Sequence, residues 1–144
     1  MPTRLAAIVL ATLVLGGCAL GRGHPDYLIP AKRAAIVRET AESYGDNLRW
    51  GRLQAAVGMV EPDRRAEFLA ALRDANSPLR FTSFEIVAVE LGTSRDEVEV
   101  LVSFRLYRLP DLTERTVREL QVWRFDPARG RWYVRPDLSL FFGS

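Results

Sequence analysis

The chain has 144 residues, 48% hydrophobic and 26% charged, with 20 basic against 18 acidic side chains and a formal net charge of +2. That suits one domain with one core, and it is too close to charge balance for the concentrated basic face that nucleic acid binding requires. One cysteine (Cys18) and one histidine (His24) leave no disulfide framework, no Ser–His–Asp or Cys–His arrangement inside a domain and no zinc site of Cys and His.

Arg4 precedes an uncharged run, Leu5 to Leu15, which is too short to span a bilayer. Gly16-Gly17 and then Cys18 follow. A positive start, a short apolar core and a small-residue cleavage site make residues 1–17 a secretory signal peptide. Leu15-Gly16-Gly17-Cys18 resembles the lipobox of bacterial lipoproteins. The resemblance implies cleavage before Cys18, acylation of that residue with palmitate-type chains, and the membrane as a partner. The bland alternative is a thiol near the end of an ordinary signal peptide or N-terminal anchor helix. Acyl chains contribute about 0.8 kcal/mol per buried CH₂, enough with several chains to hold a small domain on a membrane. By the same resemblance, Ala19 in place of an Asp implies the periplasmic face of the outer membrane in the cell envelope. The mature chain would keep 127 residues, with 19 basic and 18 acidic side chains. Residues 18–30, with Gly21, Gly23, Pro25 and Pro30 and no periodicity, read as the lipidated cysteine and a flexible tether. A single domain then covers 31–144.

Residues 31–50 read as an amphipathic helix, because Val37, Ala41, Tyr44 and Leu48 fall on one stripe. Gly45 weakens its interior by about 1 kcal/mol relative to Ala, a cost that close packing of another element would offset. Gly51 ends it. Leu53 to Val60 predicts a short second helix. Pro62 and Asp63 open a third, with Phe68, Leu69 and Leu72 on its apolar side. After Pro78 the period becomes two. Strands are predicted over Phe81–Leu91, Asp96–Leu109, Glu114–Phe125 and Arg131–Arg135, separated by turn residues such as Pro110-Asp111 and Asp126-Pro127…Gly130. Helices followed by an antiparallel meander make an α+β fold.

The stretch Tyr44…Leu48-Arg49-Trp50-Gly51-Arg52-Leu53-Gln54-Ala55-Ala56, with Val60-Glu61-Pro62, resembles the helical start of nuclear-transport-factor-2-like domains. The hairpin Trp123-Arg124-Phe125…Gly130-Arg131-Trp132-Tyr133-Val134 resembles the last hairpin of that fold. The likeness covers about residues 31–140 and implies N-terminal helices packed on a curved, cone-like antiparallel sheet of about four strands. It departs from the family in one respect: the usual early strand between helices is not evident.

With Pro110–Thr113 as the loop, Val102 would oppose Gln121, Phe104 would oppose Glu119, and Arg105 would neighbour Arg118. Glu119 and Gln121 then share a face with Val98, Val100, Val117, Trp123 and Phe125, the inward one, which in the resembled fold lines a cavity. Desolvation on an apolar wall raises a carboxyl pKa and equips Glu119 as a general base or ligand anchor. The resemblance implies isomerase- or dehydratase-like chemistry for such a group. The structural alternative is that Glu119 pairs with Arg49 or Arg52. Tyr44 either donates a hydrogen bond into the same cavity or packs its ring with the hydroxyl wetted at the edge. Trp50, Trp132 and Tyr133 form either a partner-binding patch or core.

The opposite sheet face carries Leu101, Tyr107, Leu120, Val122 and Tyr133 among Glu99, Arg105, Arg118 and Arg124. It is more apolar than a solvated face requires, which marks an interface for a protein partner or a homodimer. No Gly-rich phosphate loop and no clustered Asp spacing is present, so no cofactor and no metal are expected. The expectation is therefore a membrane-tethered lipoprotein with a noncatalytic binding domain for a protein or a small apolar ligand. The alternative is a cone-fold enzyme using Glu119.

Overall fold

Pro30 begins the first helix, where its missing N–H costs nothing. The computed structural model describes residues 29–74 and 76–142; Cys18, His24 and the predicted signal segment lie outside them. Helix α1 runs Pro30–Arg49 and buries the predicted stripe of Val37, Ala41, Tyr44 and Leu48. It stops at Gly51, whose φ of +66° is the left-handed conformation that glycine adopts without strain. The turn is closed by Arg52 N–H donating to the Asn47 carbonyl at 2.8 Å.

Helix α2 spans Leu53–Gly58. The predicted third helix is a 3₁₀ turn, Pro62–Arg64, feeding helix α3, Arg65–Leu72, which buries Phe68 and Leu72. Strands β1 (Leu79–Leu91), β2 (Glu97–Arg108), β3 (Arg115–Asp126) and β4 (Arg131–Arg135) follow. They form one open antiparallel sheet in the order β1-β2-β3-β4. Strand β1 carries two register irregularities, between Phe81 and Ser83 and between Ile86 and Ala88. The architecture is α+β, helices first and then a four-stranded antiparallel sheet.

The register between β2 and β3 differs from the expected one by two residues. Val102 opposes Glu119, Val100 opposes Gln121, Phe104 opposes Val117, and Arg118 lies opposite Ser103 rather than beside Arg105. The last pair is Leu106 with Arg115, so 107–114 go unpaired between the two strands instead of 110–113, three more residues on the β2 side and one on the β3 side. An even shift leaves every side chain on its predicted face. Arg105 finds a carboxylate in Glu114 at 2.6 Å, and the expected like-charge neighbours Arg105 and Arg118 are not paired.

One element was not anticipated. After Pro136-Asp137 the chain forms helix α4, Leu138–Phe142. Asp137 caps it, accepting from the Ser139 N–H at 3.0 Å and the Ser139 hydroxyl at 2.6 Å. Phe141 inserts against Phe81 and Phe104, with ring centroids 5.6 and 5.7 Å away. Its carbonyl accepts from Arg108 at 2.7 Å and from Arg115. The sequence signal was there: an Asp cap two residues before Ser139, ahead of an apolar run.

The core lies between the helices and the inner sheet face. The Trp123 and Tyr44 rings meet edge-on at 5.8 Å, and Phe68 lies 6.3 Å from Tyr44. Gly45 explains how α1 comes so near β1. A Cβ at that position would stand 2.7 Å from the Phe84 ring. Gly45→Ala should therefore destabilise the domain by about 1–3 kcal/mol, despite alanine's better helix propensity. Urea denaturation checks this; a stabilised variant would contradict the close-packing account.

Candidate functional site

Alternation along β3 turns Val117, Glu119, Gln121 and Trp123 inward together, and all four are buried. The polar groups among them form a chain. Trp123 Nε1–H donates to Gln121 Oε1 at 3.0 Å, and Gln121 Nε2–H donates to Glu119 Oε2 at 2.9 Å. The other carboxyl oxygen, Glu119 Oε1, accepts from the backbone N–H of Asp137 at 2.9 Å. Residues at i, i+2 and i+4 on one face of a strand are near enough for such a relay.

Glu119 has 0% exposure. Burial drives its pKa up to about 7, against the opposing effect of the Gln121 and Asp137 hydrogen bonds, with the Asp137 charge adding to the rise. Burial, with the Glu119 charge adding to it, also holds the Tyr44 hydroxyl well above its ordinary range. The structure thus brings Tyr44, Glu119 and Gln121 together in the interior. Glu119 takes its hydrogen bonds from Gln121 and the Asp137 backbone, so the expected pairing with Arg49 or Arg52 does not occur. Tyr44 is buried rather than wetted at an edge.

Trp50 stands apart. It is 62% exposed, with the Arg49 guanidinium 5.0 Å from its ring centroid. Of the two alternatives for the other two aromatics, core packing holds. Trp132 is buried against Phe125 at 5.3 Å, and Tyr133 is buried with the Arg65 guanidinium 5.5 Å from its ring. Tyr133 therefore does not contribute to the exposed sheet face.

On the outer face, register places Ala88, Leu101 and Leu120 in one apolar row across β1, β2 and β3. Val122 adjoins it, and Leu120 is 52% exposed. A groove of about 340 Å³ lies along this row, lined also by Glu90 and Glu99. Tyr107 is six residues along β2 from Leu101, about 20 Å at strand rise, and lies outside the groove. Sequence reasoning missed the acidic end of this surface. Glu90 and Glu99 are directly opposed, and among the described residues neither has an ion-pair partner. Like charges so placed are unfavourable until a cation joins them. Arg118, exposed and opposite Ser103, flanks the row on the side away from the two glutamates.

Among the described residues, no group of three or more His, Cys, Asp or Glu is placed to hold a metal, and no helix is long and apolar enough to cross a membrane. Compared with known proteins, the chain matches no family model, no curated protein and no solved structure.

The raised Glu119 pKa has a stability consequence. The native state keeps a proton that the unfolded chain releases above its ordinary value of 4.5. The contribution is therefore complete below about pH 4.5 and is lost as pH rises toward about 7, on the order of 3 kcal/mol in all. Urea midpoints across that window should fall with pH in the native protein and flatten in Glu119→Gln. An unchanged slope in the variant would assign the titration elsewhere.

Proposed function

We propose that this protein is an envelope lipoprotein, held through an acylated Cys18 at the periplasmic face of the outer membrane, and that its domain binds a protein partner without catalysis. The order Arg4, apolar run, Gly16-Gly17, Cys18 supports the anchor. A cone-shaped, nuclear-transport-factor-2-like variant is the fold reading that goes with it. The parallel bridge between Val60 and Val134, where that family has its early strand, supports this reading.

The observation that carries the binding function is the outer sheet face. An apolar row of Ala88, Leu101 and Leu120 is left uncovered among the described residues, with unneutralised Glu90 and Glu99 beside it and Arg118 beyond. A partner would offer an apolar ridge, a cation over the glutamates and an acid near Arg118. Charge order of this kind fixes register and orientation more than it adds affinity.

The enzyme reading has one observation in its favour, the raised pKa of a buried carboxyl. Both Glu119 oxygens are already engaged by protein donors, and neither Glu119 nor Gln121 lines any of the clefts described in this structure. The binding reading is therefore preferred.

Two substitutions test the proposal separately. Cys18→Ser should release the protein from the membrane fraction, and an intact mass lacking any acyl addition at that residue in the native protein would contradict the anchor. Leu120→Asp, at an exposed position, should leave the melting temperature within a few degrees. It should abolish crosslinking from a photoreactive group placed at Leu101. Crosslinks that persist unchanged would contradict recognition through this face.

A further inference from the structure

A second surface lies on the helix side of the molecule, where α1 ends, the chain turns through Gly51, α3 ends and β1 begins. It is a cleft of about 360 Å³. Its floor is Leu48, Leu72, Leu79 and Phe81, all members of the core, with Leu53 on one wall. Arg49 and Arg80, both exposed, complete the lining. An adjoining depression of about 330 Å³ shares Gly51 and Leu53 and adds Arg52 and Arg73.

These four guanidinium groups differ from many others in the protein. Arg105, Arg124, Arg129 and Arg135 each meet a carboxylate within 3.4 Å. Among the described residues Arg49, Arg52, Arg73 and Arg80 make no ion pair. Arg49 rests over Trp50, and Arg80 donates to the neighbouring Leu79 carbonyl at 3.2 Å. Asp74, the acid next to Arg73 in the chain, accepts the Asn76 N–H at 2.9 Å. Unpaired like charges at one place raise the local potential and draw an anion. The same place offers an apolar floor reachable from solvent. A ligand answering both features has an apolar tail and a negative head.

We propose that this cleft binds a single-chain anionic amphiphile, with its acyl chain on the Leu48, Leu72, Leu79 and Phe81 floor and its carboxylate or phosphate head at Arg49 and Arg80. The volume is near the low end of ligand sites, about 300–1,000 Å³, which suits one chain of medium length rather than a two-chain lipid. Arginine suits the head, since its fork meets carboxylate or phosphate oxygens two at a time. The proposal is independent of the lipid anchor and of the outer sheet face, because it uses neither Cys18 nor Leu120.

Trp50 is a built-in reporter, since a head group that draws Arg49 off its ring changes its emission. The test titrates the purified full chain, carrying Cys18→Ser so that no acyl group of its own competes, with four probes below their micelle concentrations. These are laurate, dodecyl phosphate, dodecyltrimethylammonium and inorganic phosphate. One or both anionic amphiphiles should bind saturably at one per chain, the cationic homologue at least tenfold more weakly, and inorganic phosphate without saturation. The tighter of laurate and dodecyl phosphate distinguishes a carboxylate from a phosphate source. R49Q/R80Q should weaken binding at least tenfold with an unchanged circular dichroism spectrum, and R118Q, on the outer face, should not. The proposal is overturned by absent saturation, by equal binding of the cationic probe or by indifference to R49Q/R80Q. Binding to anionic vesicles without binding of either single-chain anion would also overturn it, in favour of a basic membrane-facing patch.

Discussion

The hydrogen bond from the Asp137 backbone to Glu119 joins the last segment of the described chain to the middle of the sheet. Without it, a carboxyl group with no exposure would have an oxygen facing the core with no donor, and a buried polar group left so costs roughly 1–3 kcal/mol. With it, the chain leaves β4 in the direction that lets α4 form and Phe141 reach Phe81 and Phe104. Arg108 and Arg115 hold the same segment from the strand side through the Phe141 carbonyl. Gln121 and Trp123 complete the polar chain inside an otherwise apolar layer. Every member of it is satisfied, which is the condition under which buried polar groups specify one arrangement rather than weaken it.

Tyr44, Phe68, Phe104 and Trp123 are among the largest fully buried side chains, and they belong to the core between the helices and the inner sheet face. Two surfaces carry the proposed recognition, for different reasons. The outer sheet face is an apolar row along a groove, with acids on one side of it and Arg118 on the other. The helix-side cleft is a concave apolar floor with cations alone. The proposals assign the first to a macromolecule and the second to a small amphiphile, so the two do not compete for one occupant.

Much of the fold was legible because hydrophobic period is a strong signal. The stripe on α1 and the alternation on β2 and β3 predicted the buried faces, including the unusual placement of Glu119 and Gln121 inside. Pairing register was not legible, since Pro110-Asp111 marks a turn without fixing how many residues on each side go unpaired, and 107–114 do so unequally about it. The error of two residues kept the faces and changed the neighbours, so Arg105 and Arg118 were wrongly joined while the true like-charge pair, Glu90 and Glu99, went unseen. The partners of Glu119 were also hidden. One is the neighbouring Gln121 on the same strand; the other is a backbone N–H, and backbone donors leave no trace in a sequence. Helix α4 is short enough that its period is uninformative, although its Asp cap was readable. The proposed anchor at Cys18 is read from the local order of residue types and lies outside the described residues.

A buried Glu119 fastens the segment after β4. Asp137 is exposed as a residue, so its amide would exchange quickly with solvent if it were not bonded. Amide hydrogen exchange by NMR at Asp137 tests this directly. Protection comparable to that of the β3 amides is the result this account predicts. Exchange at the rate of an open loop would contradict it.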